Sequence, residues 1–194
     1  VKIESAPDFN AFWQDVEARR FDVVHFNQYH YVRARRHHGY EVIAMNKEQG
    51  AATIAGALLV RSNSGITAVS QLRGKKIVFG GGRDAMQAYI LATQLLREAG
   101  LKAGDYTETF ARSPMNAVIA AFHGQADAAG AGDLVLSMPA VTRNIDPSQM
   151  RYLAVSAPVA HLPWAVKTDM PAADKARLRD ALLGKVVRVE AVTR

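Results

Sequence analysis

Apolar residues fall at three- and four-residue spacing over residues 7–20, where Phe9, Phe12, Trp13 and Val16 form the stripe of an amphipathic helix that docks on a sheet. The pattern then shortens. FDVVHF at 21–26 reads as a buried strand, YHYVRARR at 29–36 as a short helix and YEVIAM at 40–45 as a strand. TIAGALLVR at 53–61 is a further strand-like run ending at the turn Asn63-Ser64-Gly65. Strand and helix in alternation predict α/β units on a largely parallel sheet.

From residue 69 the pattern restarts. VSQLRGKK leads into the strand KIVFG at 76–80, then the glycine run Gly80-Gly81-Gly82, then a helix over 84–99 stopped by Gly100. Asp84 and Gln87 have capping-box spacing, and Tyr89, Leu91, Leu95 and Leu96 give this helix its apolar contacts. After the strand YTETF, Ser113 and Pro114 are an N-cap and a first-turn proline for the helix MNAVIAAFH, closed by Gly124. QADAAGAGD reads as a short strand and loop, DLVLSMPAV as a helix with Asp133 as its cap, and MRYLAVSA as a strand. A last helix over 171–183 starts at Pro171 and stops at Gly184. The segments at 53–61 and 151–157 cross between two blocks, so the second is inserted into the first: 1–60 with 156–194, and 61–155. That layout makes a cleft between lobes the expected ligand site.

Composition narrows the chemistry. At 194 residues, 49% of them apolar and 22% charged, the chain has the balance of a folded protein with a core. No apolar run is long enough to span a bilayer, and VKIESAPDFN lacks the regions of a signal peptide. There is no cysteine, which excludes disulfides, thiolate zinc sites, cysteine nucleophiles and thioether-held cofactors. The net charge of +6 is spread out: Lys+Arg minus Asp+Glu is 7−7, 6−2, 3−5 and 8−4 over 1–50, 51–100, 101–150 and 151–194. Nucleic-acid binders show a dense cationic stripe interleaved with aromatics. The cluster Arg33, Arg35, Arg36, His37 and His38 is short and reads as a solvated helix end, so no nucleic-acid partner is expected. Modest positive charge suits a small anionic ligand better.

Several segments carry a resemblance in their order and spacing: DVVHFNQYHYV at 22–32, LLVRSNSGI at 58–66, LRGKKIVF at 72–79, LLREAGL at 95–101 after the glycine turn, GQAD at 124–127 and LAVSAPVAHLPWAV at 153–166. From Asp22 to Leu183 the chain resembles the type II periplasmic binding proteins, and more narrowly the phosphate/phosphite/phosphonate-binding components of ABC transporters. The resemblance implies a two-lobed α/β fold, each lobe a mostly parallel sheet flanked by helices. It also implies a non-enzymatic, extracytoplasmic solute-binding module that closes around a small anion and is read by an ABC permease or a membrane sensor. The family begins with a strand and helix ahead of the segment at 7–20, so the sequence is expected to be a fragment or to build its first lobe differently. The family's first-lobe tyrosine matches Tyr31, and its aspartate after the later helix matches Asp127. A second tyrosine falls on Ile54, the hydroxyl motif Ser-Thr-Ser-Gly on Ala85-Met86-Gln87-Ala88, and a histidine near Pro114-Met115 beside Asn116. The fold pattern matches while the phosphonate-binding hydroxyls do not.

The candidate ligand residues follow from both readings. Gly81, Gly82 and Arg83 lie between a strand and a helix, where backbone N–H groups approach an anion and the helix dipole adds about half a positive charge; a tight turn alone also explains the glycines. His25, Asn27, Gln28 and Tyr31 end a strand at the edge where open α/β sheets take ligands. Ser113 and Asn116 open the next helix, as caps or ligand donors, and Asp127 either orients backbone or reaches solute. Trp13 and Trp164 read as core. Adjacent His37 and His38 point apart, so no metal site and no cofactor is expected. Two other functions compete: the effector domain of a signalling receptor or transcription regulator, and an enzyme on the same fold. A deaminase-type tetrapyrrole synthase is excluded by the missing cysteine, and no catalytic residue set stands out.

Overall fold

The computed structural model describes residues 2–48 and 50–184. The tail 185–194 of the expected first lobe lies outside the described residues. The chain divides into two compact units, Val1–Ala52 with His161–Arg194, and Thr53–Ala160.

In the first unit, helix α1 (Phe9–Glu17) is opened by Asp8, whose Oδ1 accepts the Ala11 N–H at 2.9 Å. Strand β1 (Val23–His25), helix α2 (Gln28–His37) and strand β2 (Tyr40–Met45) follow, and strand β10 (Pro163–Lys167) and helix α6 (Ala172–Leu182) complete it. β10 lies between β1 and β2 and runs antiparallel to both. The β1–α2–β2 segment thus keeps its two strands in one direction, and the returning chain fills the gap between them. Trp13 and Val16 of α1, Val24 and Phe26, Ala34 of α2, Tyr40 and Ala165 form one buried cluster. Tyr40 donates its hydroxyl to the Phe21 carbonyl at 2.8 Å, which satisfies the one polar atom of a side chain with no solvent exposure.

The second unit contains β3 (Thr53–Ile54), β4 (Gly56–Arg61), β5 (Lys76–Gly80), a π-helical stretch Met86–Leu91 running into α3 (Ala92–Glu98), β6 (Thr107–Ala111), α4 (Pro114–Phe122), β7 (Ala128–Gly132), the four-residue α5 (Pro139–Thr142), β8 (Met150–Val155) and β9 (Val159–Ala160). β3 and β9 pair at its border, and the main sheet runs β6-β5-β7-β4-β8. Only β6-β5-β7 is parallel, joined by the two helical crossovers; β4 runs antiparallel to both β7 and β8. The expectation of mostly parallel sheets is therefore corrected to mixed sheets. The strands by which the chain enters and leaves do not belong to crossover units, so nothing obliges them to run with the others.

Alternation along β4 sorts the core into two layers. Ala57 and Leu59 pack with Val78, Val118 and Ala121 on the α4 side, while Leu58 and Val60 pack with Ile77, Phe79, Leu95 and Leu96 on the α3 side. Full burial of a Leu or Ile side chain is worth about 1.5–3 kcal/mol. A sheet covered on both faces reads as a continuous apolar run, which is how TIAGALLVR reads. The run is interrupted at Ala55, leaving β3 and β4 as separate strands.

Candidate functional site

The parallel strands β5 and β6 end together, Gly80 opposite Ala111. Both following helices begin there. A Cβ on Gly80 would lie 2.2 Å from Pro114 Cα and 2.3 Å from Pro114 N, so only glycine allows α4 to start this close to β5. Gly81 has φ of 89° and donates its N–H to the Ala111 carbonyl at 2.8 Å, and the Gly82 carbonyl accepts the Ala85 N–H at 3.0 Å. Ser113 caps α4, its Oγ accepting the Asn116 N–H at 3.2 Å, and Pro114 takes the first turn. Gly81, Gly82, Ser113 and Asn116 thus share the carboxyl edge of β5–β6, with Asn116 exposed.

The capping box expected at Asp84 and Gln87 does not form. The helix is capped at Ala85 with no side-chain cap bond, and the Ala85 carbonyl accepts N–H groups from both Tyr89 and Ile90 at 3.0 Å. This widened turn sits on backbone: a Cβ on Gly56 would meet Gln87 O at 2.5 Å, and one on Gly130 would meet Ala88 O at 2.3 Å. Gln87 points inward, its Nε2 donating to the Ala55 carbonyl at 3.1 Å. Asp133 does not cap a following helix; its Oδ1 accepts the Ala55 N–H at 3.2 Å, which binds the start of β4 to the end of β7.

Two expected ligand residues are engaged elsewhere. Arg83 is turned back along the edge strand, pairing with Glu108 at 2.6 Å and donating to the Tyr89 hydroxyl at 2.6 Å, with Phe110 beneath its guanidinium. Glu108 is opposite Ile77, well short of the carboxyl edge, so Arg83 is paired along the edge strand with its side chain still largely exposed. Burial, reinforced by the Glu108 charge, raises the pKa of Tyr89. Asp127 lies at the opposite end of β5, where its Oδ2 accepts the Lys76 N–H at 2.9 Å. It orients backbone and is remote from Gly81 because β7 starts where β5 starts.

In the first unit the corresponding carboxyl ends are those of β1 and β2. His25 closes β1 and is exposed, with its ring stacked on Trp164 at 4.4 Å between centroids and 18° between planes. Trp164 is half-buried and no part of the apolar core, unlike Trp13. Its Nε1 donates to Asn46 Oδ1 at 2.9 Å. Burial first, and then His161, lowers the pKa of His25. His161 itself is buried, accepts the Leu162 N–H on Nδ1 at 2.7 Å, and places Nε2 3.4 Å from Glu48 Oε2. Its proton is assigned to Nε2 from that geometry. Asn27 caps α2 through the His30 N–H at 2.8 Å, Gln28 opens the helix, and the Tyr31 hydroxyl accepts the Val42 N–H at 3.3 Å. Sequence reasoning did not foresee the pairings of Asn46, Glu48, His161 and Glu108, because each depends on a partner far away in the chain. Among the described residues no group of three metal-ligating side chains converges, and no helix is long and apolar enough to cross a membrane.

The fold defines the class only as α/β, helices packed on mixed sheets in two units. The methylphosphonate complex of PhnD1 from Prochlorococcus marinus superposes with TM-score 0.79 at 16% identity over 94% of this chain and 71% of that one. XAC2383 from Xanthomonas citri, bound to ATP, gives 0.77 at 21% identity over 94% and 70%. A binding protein component of an ABC phosphonate transporter, PA3383 from Pseudomonas aeruginosa, gives 0.78 at 16% over 93% of this chain and 62% of that one. The family model described as ABC transporter, phosphonate, periplasmic substrate-binding protein matches residues 1–185, and the chain belongs to that family.

Proposed function

We propose that this protein is the solute-binding component of an ABC transporter, working outside the cytoplasm, and that it takes a small molecule bearing a tetrahedral oxyanion. It hands that molecule to a membrane permease and performs no covalent chemistry. The observation that carries this reading is the meeting of two helix starts, Met86 and Pro114, at the carboxyl edge of β5–β6, with Gly81 and Gly82 between strand and helix. First-turn N–H groups have no acceptor within their own helix, and two helix dipoles of one sign favour an anion there. Family membership supports the transport role. The ligands of the two relatives, methylphosphonate and ATP, share a phosphorus oxyanion. The family's hydroxyl positions are Ala85, Met86 and Gln87 here, so recognition rests on backbone donors more than on side chains.

Thermal melting with inorganic phosphate, phosphite, methylphosphonate, alkylsulfonates and carboxylates at constant ionic strength tests the assignment. A ligand present at 100 times its Kd stabilises the folded state by about 2.7 kcal/mol. A rise in Tm with a phosphonate, phosphate or sulfonate beyond that given by sodium chloride is expected. Equal shifts with chloride and with every oxyanion would refute it.

A further inference from the structure

We propose that the outer face of α2, in the first unit, docks on an anionic lipid surface. The inference goes beyond the solute-binding reading and stands whichever solute the protein takes. Helix α2 buries His30 and Ala34, one turn apart. On the other side Tyr29, Val32, Arg33 and Arg36 fall at i, i+3, i+4 and i+7; Tyr29, Val32 and Arg36 are exposed, Arg33 is half-buried, and Arg35 and His37 are exposed beside them. The helix carries three arginines and no carboxylate. Its dipole accounts for positive charge in the last turn, where Arg35, Arg36 and His37 lie, but not for Arg33 earlier in the helix or for two apolar side chains in line with it. Helix α2 packs on α1, β2 and β10. The carboxylates of those elements are committed elsewhere: Asp15 pairs with Arg20 at 2.5 Å, Glu17 accepts the Trp13 indole N–H at 2.5 Å, Glu41 pairs with Lys175 at 2.6 Å, and β10 has none. The Arg33 guanidinium lies 3.9 Å over the Trp13 ring and 5.6 Å from the Tyr29 ring, which holds the middle of the stripe against the body of the unit. Charge complementarity therefore calls for an anionic occupant. A protein interface buries a centre depleted of charge, whereas arginines make up half of this face. A headgroup layer instead meets guanidinium with phosphate and takes tyrosine at its polar–apolar boundary, the combination that this stripe offers. With Tyr29 and Val32 as its apolar part, the face attaches by charge first and inserts little.

Co-sedimentation at low ionic strength with vesicles of equimolar phosphatidylglycerol and phosphatidylcholine, and with phosphatidylcholine alone, tests the proposal. Partitioning onto the anionic vesicles only is expected, and it should vanish in about 1 M sodium chloride, where charges are screened beyond about 3 Å. One arginine near an anionic surface is worth about fivefold in partitioning, so Arg35→Gln with Arg36→Gln should lower it about 25-fold while the melting temperature stays that of the parent. Lys75→Gln with Lys102→Gln removes as much charge from exposed positions of the second unit and should leave partitioning near the parent value. Equal losses from the two double variants would overturn the proposal, because net charge and not this face would then attract the lipid. So would equal binding to both kinds of vesicle, or sedimentation with neither. Capture by immobilised polyglutamate without sedimentation on anionic vesicles would overturn it in favour of an acidic protein surface. The oxyanion melting assay bears on none of these outcomes, so the two readings fail separately.

Discussion

Gly56, Gly80, Gly130 and Gly132 let helix backbone and side chain rest directly on strand backbone in the second unit, whereas the strand ends of the first unit carry His25, Asn46 and Trp164. The difference teaches how one α/β plan leaves two kinds of surface at its strand ends. Where glycine removes the side chain, the strand end offers backbone donors and helix dipoles, which read charge and compact shape. Where rings and amides remain, it offers breadth and directional polar groups. In the second unit Arg83 and Glu108 pair with each other. A backbone site is costly to alter and a side-chain site is cheap to alter.

That contrast can be broken most directly at the glycines. Gly80→Ala and Gly130→Ala force a methyl onto backbone atoms at 2.2 and 2.3 Å, and are expected to cost about 3 kcal/mol. Urea denaturation measures this; a loss below about 0.5 kcal/mol would show that the close seating is not required. Next in size is Asp133→Ala, which strips the Ala55 N–H of its acceptor and is expected to cost about 1–3 kcal/mol in the same assay. Glu108→Gln should cost less than about 1 kcal/mol, because Arg83 is largely exposed, and the difference from the parent should shrink in high salt. A large, salt-independent loss would contradict the view of Arg83–Glu108 as a screened surface pair.

The smallest effect belongs to the first unit. His25 has a lowered pKa in the folded state, so between that value and its ordinary 6.5 the unfolded chain binds more protons. The stability it contributes is present above pH 6.5 and is lost as pH falls through the folded pKa. Melting curves from pH 7.5 to 5 should therefore fall less steeply for His25→Phe than for the parent. Identical slopes would show that His25 ionises as freely in the folded protein as in the unfolded one.

Much of this was legible in the chain. YEVIAM and KIVFG coincide with β2 and β5, and Ser113, Pro114 and Gly124 bracket α4 as their local chemistry requires. Pro171 and Gly184 do the same for α6. Asp84 and Gln87 misled because capping spacing is a local signal, while the Gly56 and Gly130 backbones impose a wider turn through contacts made from other strands. The pairing of Arg83 was not legible for a related reason: its partner carboxylate, Glu108, becomes a neighbour only when β6 pairs beside β5. Trp164 looked like core because indoles usually are, and only the register of β10 against β1 puts His25 over its ring.

The sequence by itself determined strands such as β2 and β5, the ends of α4 and α6, and that cysteine chemistry is absent, since hydrophobic period, caps and composition act over a few residues. Tertiary structure alone decided strand direction and side-chain partnership. The meetings of Gln87 with Ala55, Asp127 with Lys76 and His25 with Trp164 join residues separated by tens of positions or more, and no local rule selects among such pairs.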